Sequence, residues 1–269
     1  MKSPIIVALD MGPESALELA KKLDPQECKV KVGSQLFTTS GPLIIEKLND
    51  LGFDVFLDLK FHDIPNTVKK AVEAAIKIGV WMLNVHSLGG KEMLRAAYEV
   101  VEKAPIKPLL VGVTVLTSLN DKALKQIGLG FNTKDQVLLL AKLCKMEGLD
   151  GVVCSPNELT ILREQLDEDF LLITPGIRSC ETDKNDQKRI SSASEAITKD
   201  STDSLDILPC SQSIKAQSKP ANAHISNICV DGKVSEIPKL GMPFFIFSRT
   251  KLSLITKTSF MYLHHNKFC

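Results

Sequence analysis

The chain has 269 residues, 44% of them hydrophobic and 24% charged, with a formal net charge of +1. That balance supplies a sizeable core but no electrostatic case for nucleic acid or an anionic membrane, and one Trp and two Tyr argue against base-stacking platforms. No run approaches the ~18 apolar residues of a membrane span, and the N-terminal residues lack the pattern of a signal peptide. Seven cysteines (28, 144, 154, 180, 210, 229 and 269) form no Cys-x-x-Cys pair. They suggest neither a disulfide framework nor a zinc site, and the simplest compartment is a reduced, cytoplasmic one.

In chain order, short apolar runs at 5–9, 28–33, 53–58, 80–85, 108–115, 150–153 and 170–174 predict strands. Amphipathic stretches between them, at Glu14–Leu23, Pro42–Leu51, Thr67–Ile78, Lys91–Lys103, Asp135–Glu147 and Asn157–Leu166, predict helices. Such alternation implies a parallel sheet with crossover helices. Seven units without a dinucleotide glycine fingerprint favour an α/β (β/α)₈ barrel of the TIM type. Beyond about residue 179 the alternation fails: residues 191–226 hold nine serines and no clear strand. The eighth strand is expected at Ser204-Leu205-Asp206-Ile207, interrupted by Asp206 and closed by Pro209. Residues 1–203 are thus read as strands one to seven with their helices, and 204–269 as a degenerate barrel end with a divergent tail. Without a sound eighth strand, strands one and seven are expected to show unpaired edges.

Chemistry in such barrels belongs at the C-terminal strand ends. There the sequence collects Asp10, Lys31 with Gly33, Asp58, Lys60 and Asp63, His86, Thr114 with Thr117, Cys154 with Ser155, and Thr174 to Arg178. Asp58 and Lys60 stand two apart, so strand alternation predicts that both face one pocket. Two unit charges ~4 Å apart interact by ~4 kcal/mol at an effective dielectric of ~20. An array of this kind keeps a lysine charged and strains an anion brought beside the aspartate. The plain alternative is a surface ion pair worth little.

The stretches Val7-Ala8-Leu9-Asp10, Lys31-Val32-Gly33, Asp58-Leu59-Lys60-Phe61-His62-Asp63-Ile64-Pro65-Asn66-Thr67, Thr114-Val115-Leu116-Thr117-Ser118, Thr174-Pro175-Gly176-Ile177-Arg178 and Asp186-Gln187-Lys188-Arg189 carry a resemblance. Together they resemble the orotidine 5′-monophosphate decarboxylases over roughly residues 4–200. A bare Asp-x-Lys-x-x-Asp also admits metal-dependent sugar-phosphate lyases such as the hexulose-phosphate synthases; Ile64-Pro65-Asn66-Thr67 and Pro-Gly-Ile-Arg favour the decarboxylases. The resemblance implies that Lys60 protonates C6 of the pyrimidine, that Asp58 sits against the substrate carboxylate, and that Lys31 completes a Lys-Asp-Lys-Asp chain. Asp63, Ile64 and Thr67 would reach into the partner's site of a homodimer. Asp10 would bind ribose hydroxyls, Thr117 the pyrimidine region, and Gln187 and Arg178 the phosphate.

No metal or organic cofactor is implied. Without the resemblance, Asp10 and Thr117 read as helix caps, and Gln187 and Arg178 as solvated loop and strand-end residues. His86 reads as a hydrogen-bonded neighbour of the site, His62 as a structural or solvent-facing loop residue, and Cys154 as a buried small apolar group. The family's eighth strand ends in Ile-Gly-Arg-Pro, whereas Ser204–Cys210 holds Leu208 and Pro209 in place of the glycine and arginine. The resemblance therefore implies weakened phosphate binding, with a non-catalytic remnant of the family as the other reading.

Overall fold

The computed structural model describes residues 5–177, 224–230, 233–239 and 244–248. The first of these segments alternates as the sequence predicts. Strand β1 (Ile5–Ala8) leads to α1 (Pro13–Ala20), β2 (Lys29–Gly33) to α2 (Ser34–Ser40) and α3 (Leu43–Asp50), and β3 (Val55–Phe61) to α4 (Pro65–Lys77). Next come β4 (Met82–His86), a 3₁₀ turn (Ser87–Gly89), α5 (Gly90–Glu102), β5 (Leu109–Val113), α6 (Asp121–Gln126) and α7 (Thr133–Met146). The segment ends with β6 (Gly151–Val153), α8 (Leu159–Gln165) and β7 (Leu171–Ile177). Three strands follow further along: β8 (His224–Val230), β9 (Lys233–Lys239) and β10 (Phe244–Ser248).

Strands β1 to β7 pair in parallel in sequence order, so all seven point their C-terminal ends the same way. The parallel strands are apolar on both faces because both are covered. One set of alternate residues, including Val30, Val55, Leu57, Leu83 and Leu110, packs against the helices. The other set, including Ile6, Phe56, Met82, Val111, Leu171 and Ile173, fills the barrel interior. In the next layer towards the mouth the buried residues turn polar: Lys31, Asp58 and Asn84. Filling the lower interior with hydrocarbon leaves the charged layer nowhere to go but the C-terminal mouth.

The eighth position departs from expectation. It is taken by β10, which runs antiparallel to both β1 and β7 and closes the barrel. The edges of β1 and β7 are therefore paired, not open as the missing eighth strand had implied. The segment expected to supply that strand, 204–207, lies outside the described residues. Strands β8 and β9 form a separate two-stranded antiparallel sheet.

Candidate active site

The site grows from β1, β2, β3 and β4. Lys31, at the inward register of β2, donates to Asp10 Oδ1 at 2.9 Å and lies 3.3 Å from Asp58 Oδ2. Lys60 Nζ donates to Asp58 Oδ1 at 2.7 Å. The result is one chain of alternating charge, Asp10–Lys31–Asp58–Lys60. Its inner members are buried, with Lys31 and Asp58 side chains 5% and 7% exposed, while both ends are accessible, Asp10 at 46% and Lys60 at 37%. A cavity of about 300 Å³ opens over the array, with Gly33, Leu116, Thr117, Cys154 and Pro175 among its walls.

Asp58 and Lys60 do share one pocket, but simple alternation is not the reason. Between the pairs Leu57↔Leu83 and Phe61↔Val85, β3 advances four residues while β4 advances two (61 − 57 against 85 − 83). Lys60 sits within this bulge at φ 53°, the left-handed region, and is the one non-glycine residue there among those described. Bulges beside active sites commonly re-aim side chains. Here the bulge folds the Lys60 ammonium back onto Asp58.

Asn84, absent from the sequence reading, joins the two. Its side-chain oxygen accepts the Lys60 backbone N–H at 2.8 Å, and its nitrogen donates to Asp58 Oδ1 at 2.6 Å. Asp58 thus answers to three donors. Burial pushes its pKa up, but Lys31 and Lys60, with hydrogen bonds from Lys60 and Asn84, outweigh that and hold the carboxyl below its ordinary value. Asp58 stays ionised although buried. The one signal for Asn84 in the sequence was a polar residue inside an otherwise apolar strand, Met82-Leu83-Asn84-Val85.

The remaining expected residues divide. Asp10 pairs with Lys31 and caps nothing; the residue capping α1 is Gly12, which offers no side-chain bond. Thr117 lines the cavity, while Asn120 caps α6 by accepting from Ala123 N–H at 3.0 Å. Thr114 turns away and donates to the Val153 carbonyl at 2.7 Å. Ser155 is likewise used locally, its N–H donating to Glu158. Cys154 is a buried thiol in the cavity wall.

His86 accepts from Leu88 N–H and stacks on exposed His62 with ring centroids 5.1 Å apart. Burial, then the neighbouring His62 and Lys60, push the His86 pKa down to about 4, so the ring is neutral near pH 7. Asp63 accepts the N–H of Ile64 at 2.7 Å and makes no ion pair with Lys60 of its own chain. Ile64 is 67% exposed, and neither it, Asp63 nor Thr67 lines the cavity. Arg178 and Gln187 lie outside the described residues. Among the described residues no group of three or more His, Cys, Asp or Glu is placed to hold a metal ion, and no helix is long and apolar enough to cross a membrane.

Fold and site together define a class: a β/α-barrel enzyme carrying a charged array at the C-terminal mouth of its strands. Within that class, the model of the orotidine 5′-phosphate decarboxylase / HUMPS family matches residues 3–202, and the chain belongs to this family. It is 52% identical over 198 residues to the orotidine 5′-phosphate decarboxylase of Marinomonas sp., an alignment covering 73% of this chain and 84% of that protein. The Hydrogenovibrio crunogenus enzyme of the same name is 53% identical over 195 residues, covering 72% and 82%. Among solved structures, orotidine 5′-phosphate decarboxylase from Lactobacillus acidophilus superimposes with a TM-score of 0.62 at 42% identity, covering 66% of this chain and 82% of that one.

Proposed function

We propose that the chain decarboxylates orotidine 5′-monophosphate to uridine 5′-monophosphate in pyrimidine synthesis, without metal or organic cofactor. The observation that carries this reading is the Asp10–Lys31–Asp58–Lys60 array, buried at Lys31 and Asp58, with Lys60 at a solvent-accessible end beside Asp58. In the step, the bond between C6 and the carboxylate breaks and carbon dioxide leaves. The electron pair left on C6 takes a proton from Lys60 Nζ, and the resulting neutral lysine is recharged from water. Asp58, kept anionic by three donors, lies on the path of a substrate carboxylate and disfavours the ground state, while the Lys60 ammonium favours the developing carbanion.

Asp10 binds the ribose hydroxyls, Lys31 fixes Asp10 and Asp58 on either side of it, and Thr117 contacts the pyrimidine region. Asp63, exposed Ile64 and Thr67 serve the partner's site in a cytoplasmic homodimer, which accounts for their facing away from their own cavity. Arg178 and Gln187 contact the phosphate. Loss of absorbance from orotidine monophosphate tests the reading: the wild-type chain should turn over and Lys60→Ala should not. If the two are equally inert, the reading falls.

By the resemblance, Leu208 and Pro209 stand where the family has glycine and arginine, so phosphate binding should be weakened. One charge-assisted hydrogen bond is worth ~1.5–3 kcal/mol, or roughly a ten- to hundredfold weaker hold. Binding energy at a remote phosphate is used at the reacting ring, so turnover is lowered too. The double substitution Leu208→Gly/Pro209→Arg should raise kcat/KM by about that factor, and no gain would place the deficit elsewhere.

A further inference from the structure

We propose that Asn84 is the positioning residue of this site: a single amide that fixes the backbone of the proton-donating Lys60 and the carboxylate of Asp58 together. The inference rests on the decarboxylase reading above and adds to it a residue from a fourth strand.

The geometry leaves the amide no freedom. Asn84 is 1% exposed at the inward register of β4, directly above Met82. Lys60 N–H can only donate, so the amide atom 2.8 Å from it is the oxygen. The nitrogen is then left to donate to Asp58 Oδ1 at 2.6 Å, and only an acceptor, the ionised carboxylate, satisfies it. Both halves of the amide are used, and turning it over would oppose oxygen to oxygen.

The bulge explains why such a bridge is needed. Between Leu57 and Phe61 the β3–β4 ladder loses register, so Lys60 N–H does not meet a regular partner on β4. The Asn84 side chain takes that donor instead and supports a lysine held at φ 53°. A left-handed non-glycine residue persists only when its surroundings over-determine it. Without the amide, Lys60 can relax towards extended backbone, which swings Nζ off Asp58.

The groups facing Asp58 are Lys31 and Lys60, with Asp10 beyond Lys31. Both lysines already neutralise it, so a third cation would add charge where a substrate anion must fit. A neutral amide supplies a donor without altering the net charge of two lysines and two aspartates. That is the reason for asparagine at this position in place of lysine or arginine.

The test uses the full chain with two variants, Asn84→Ala and the near-isosteric Asn84→Asp. The second keeps an acceptor for Lys60 N–H but sets a carboxylate against Asp58. A misplaced reacting group costs on the order of a hundredfold, so both variants should lose about that factor in kcat while KM moves only a few-fold. The Asp58 carboxylate, followed by ¹³C NMR, should titrate at higher pH in both, since each removes a donor to its charged form.

Wild-type kcat in either folded variant overturns the proposal. So does a fall in kcat with the Asp58 titration unmoved, which is what loss of packing alone would give. Where Asn84→Ala does not fold, Asn84→Asp decides. A wild-type chain without turnover overturns the decarboxylase reading, and the carboxylate titration then judges Asn84 by itself.

Discussion

At the residue scale the site is a set of close tolerances around four charges. Gly33 ends β2 beside the array, and a Cβ there would stand 3.2 Å from both Asp10 Oδ1 and Lys31 Nζ. Both tips must then give by a few tenths of an ångström, which disturbs the ion pair between them. Gly33→Ala should therefore lower kcat/KM by roughly ten- to a hundredfold with little change in thermal stability, as steady-state kinetics and a melt would show. Buried ion pairs are weak evidence of stability, so the array is better understood as retained for chemistry.

Two groups of the site contribute to the acid behaviour. Asp58 is held below its ordinary value, so its contribution is present above the unfolded pKa of 3.8 and lost as pH falls through the folded value. His86 is pushed down from 6.5 to about 4, so below 6.5 the unfolded chain takes a proton that the fold refuses. Stability should then decline already between those two values, before the carboxylate titrates. Melting temperatures across that window should fall less in His86→Gln than in the wild-type chain.

Elements were legible where periodicity was long. The six amphipathic stretches of the sequence each correspond to a helix, because each buries a stripe of several apolar residues. Helices α2 and α6 gave no such pattern, since each buries one residue, Leu36 and Leu124. Strand β3 was legible as a strand but not as a bulged one. Its apolar run ends at Leu57, and nothing in Asp58-Leu59-Lys60 announces the left-handed turn.

Close approach between strands gives a prediction at this scale. Gly151 opposes Leu171 across β6 and β7, and a Cβ on it would overlap the Leu171 carbonyl oxygen and Cβ. Backbone cannot step aside as a flexible side chain does. Gly151→Ala should destabilise by about 1–3 kcal/mol or more, read as a lower urea midpoint with an unchanged slope.

For the whole molecule, the decisive feature is closure by a reversed strand. Phe244 lies beside Val7 and Ile177, and Ser248 beside Leu172, so β10 enters at the mouth and leaves towards the floor. A strand paired on both sides uses its N–H groups on one neighbour or the other, so proline there removes a ladder bond. Ile246, which opposes both Ile5 and Thr174, is the central position. Ile246→Pro should cost ~3 kcal/mol and favour aggregation through the freed edges of β1 and β7, measurable by denaturant titration and light scattering.

Taken by itself, the sequence determined the seven parallel strands, the six amphipathic helices between them, and the strand ends at which Asp10, Lys31, Asp58 and Lys60 gather. Those features follow from local periodicity, which records the side of an element that is buried. The tertiary structure alone decided three further matters: the bulge that turns Lys60 onto Asp58, the amide of Asn84 between them, and the reversed strand in the eighth position. The physical reason is common to all three. Each is a pairing between residues distant along the chain, and a periodic pattern shows that a group is buried without showing which partner meets it.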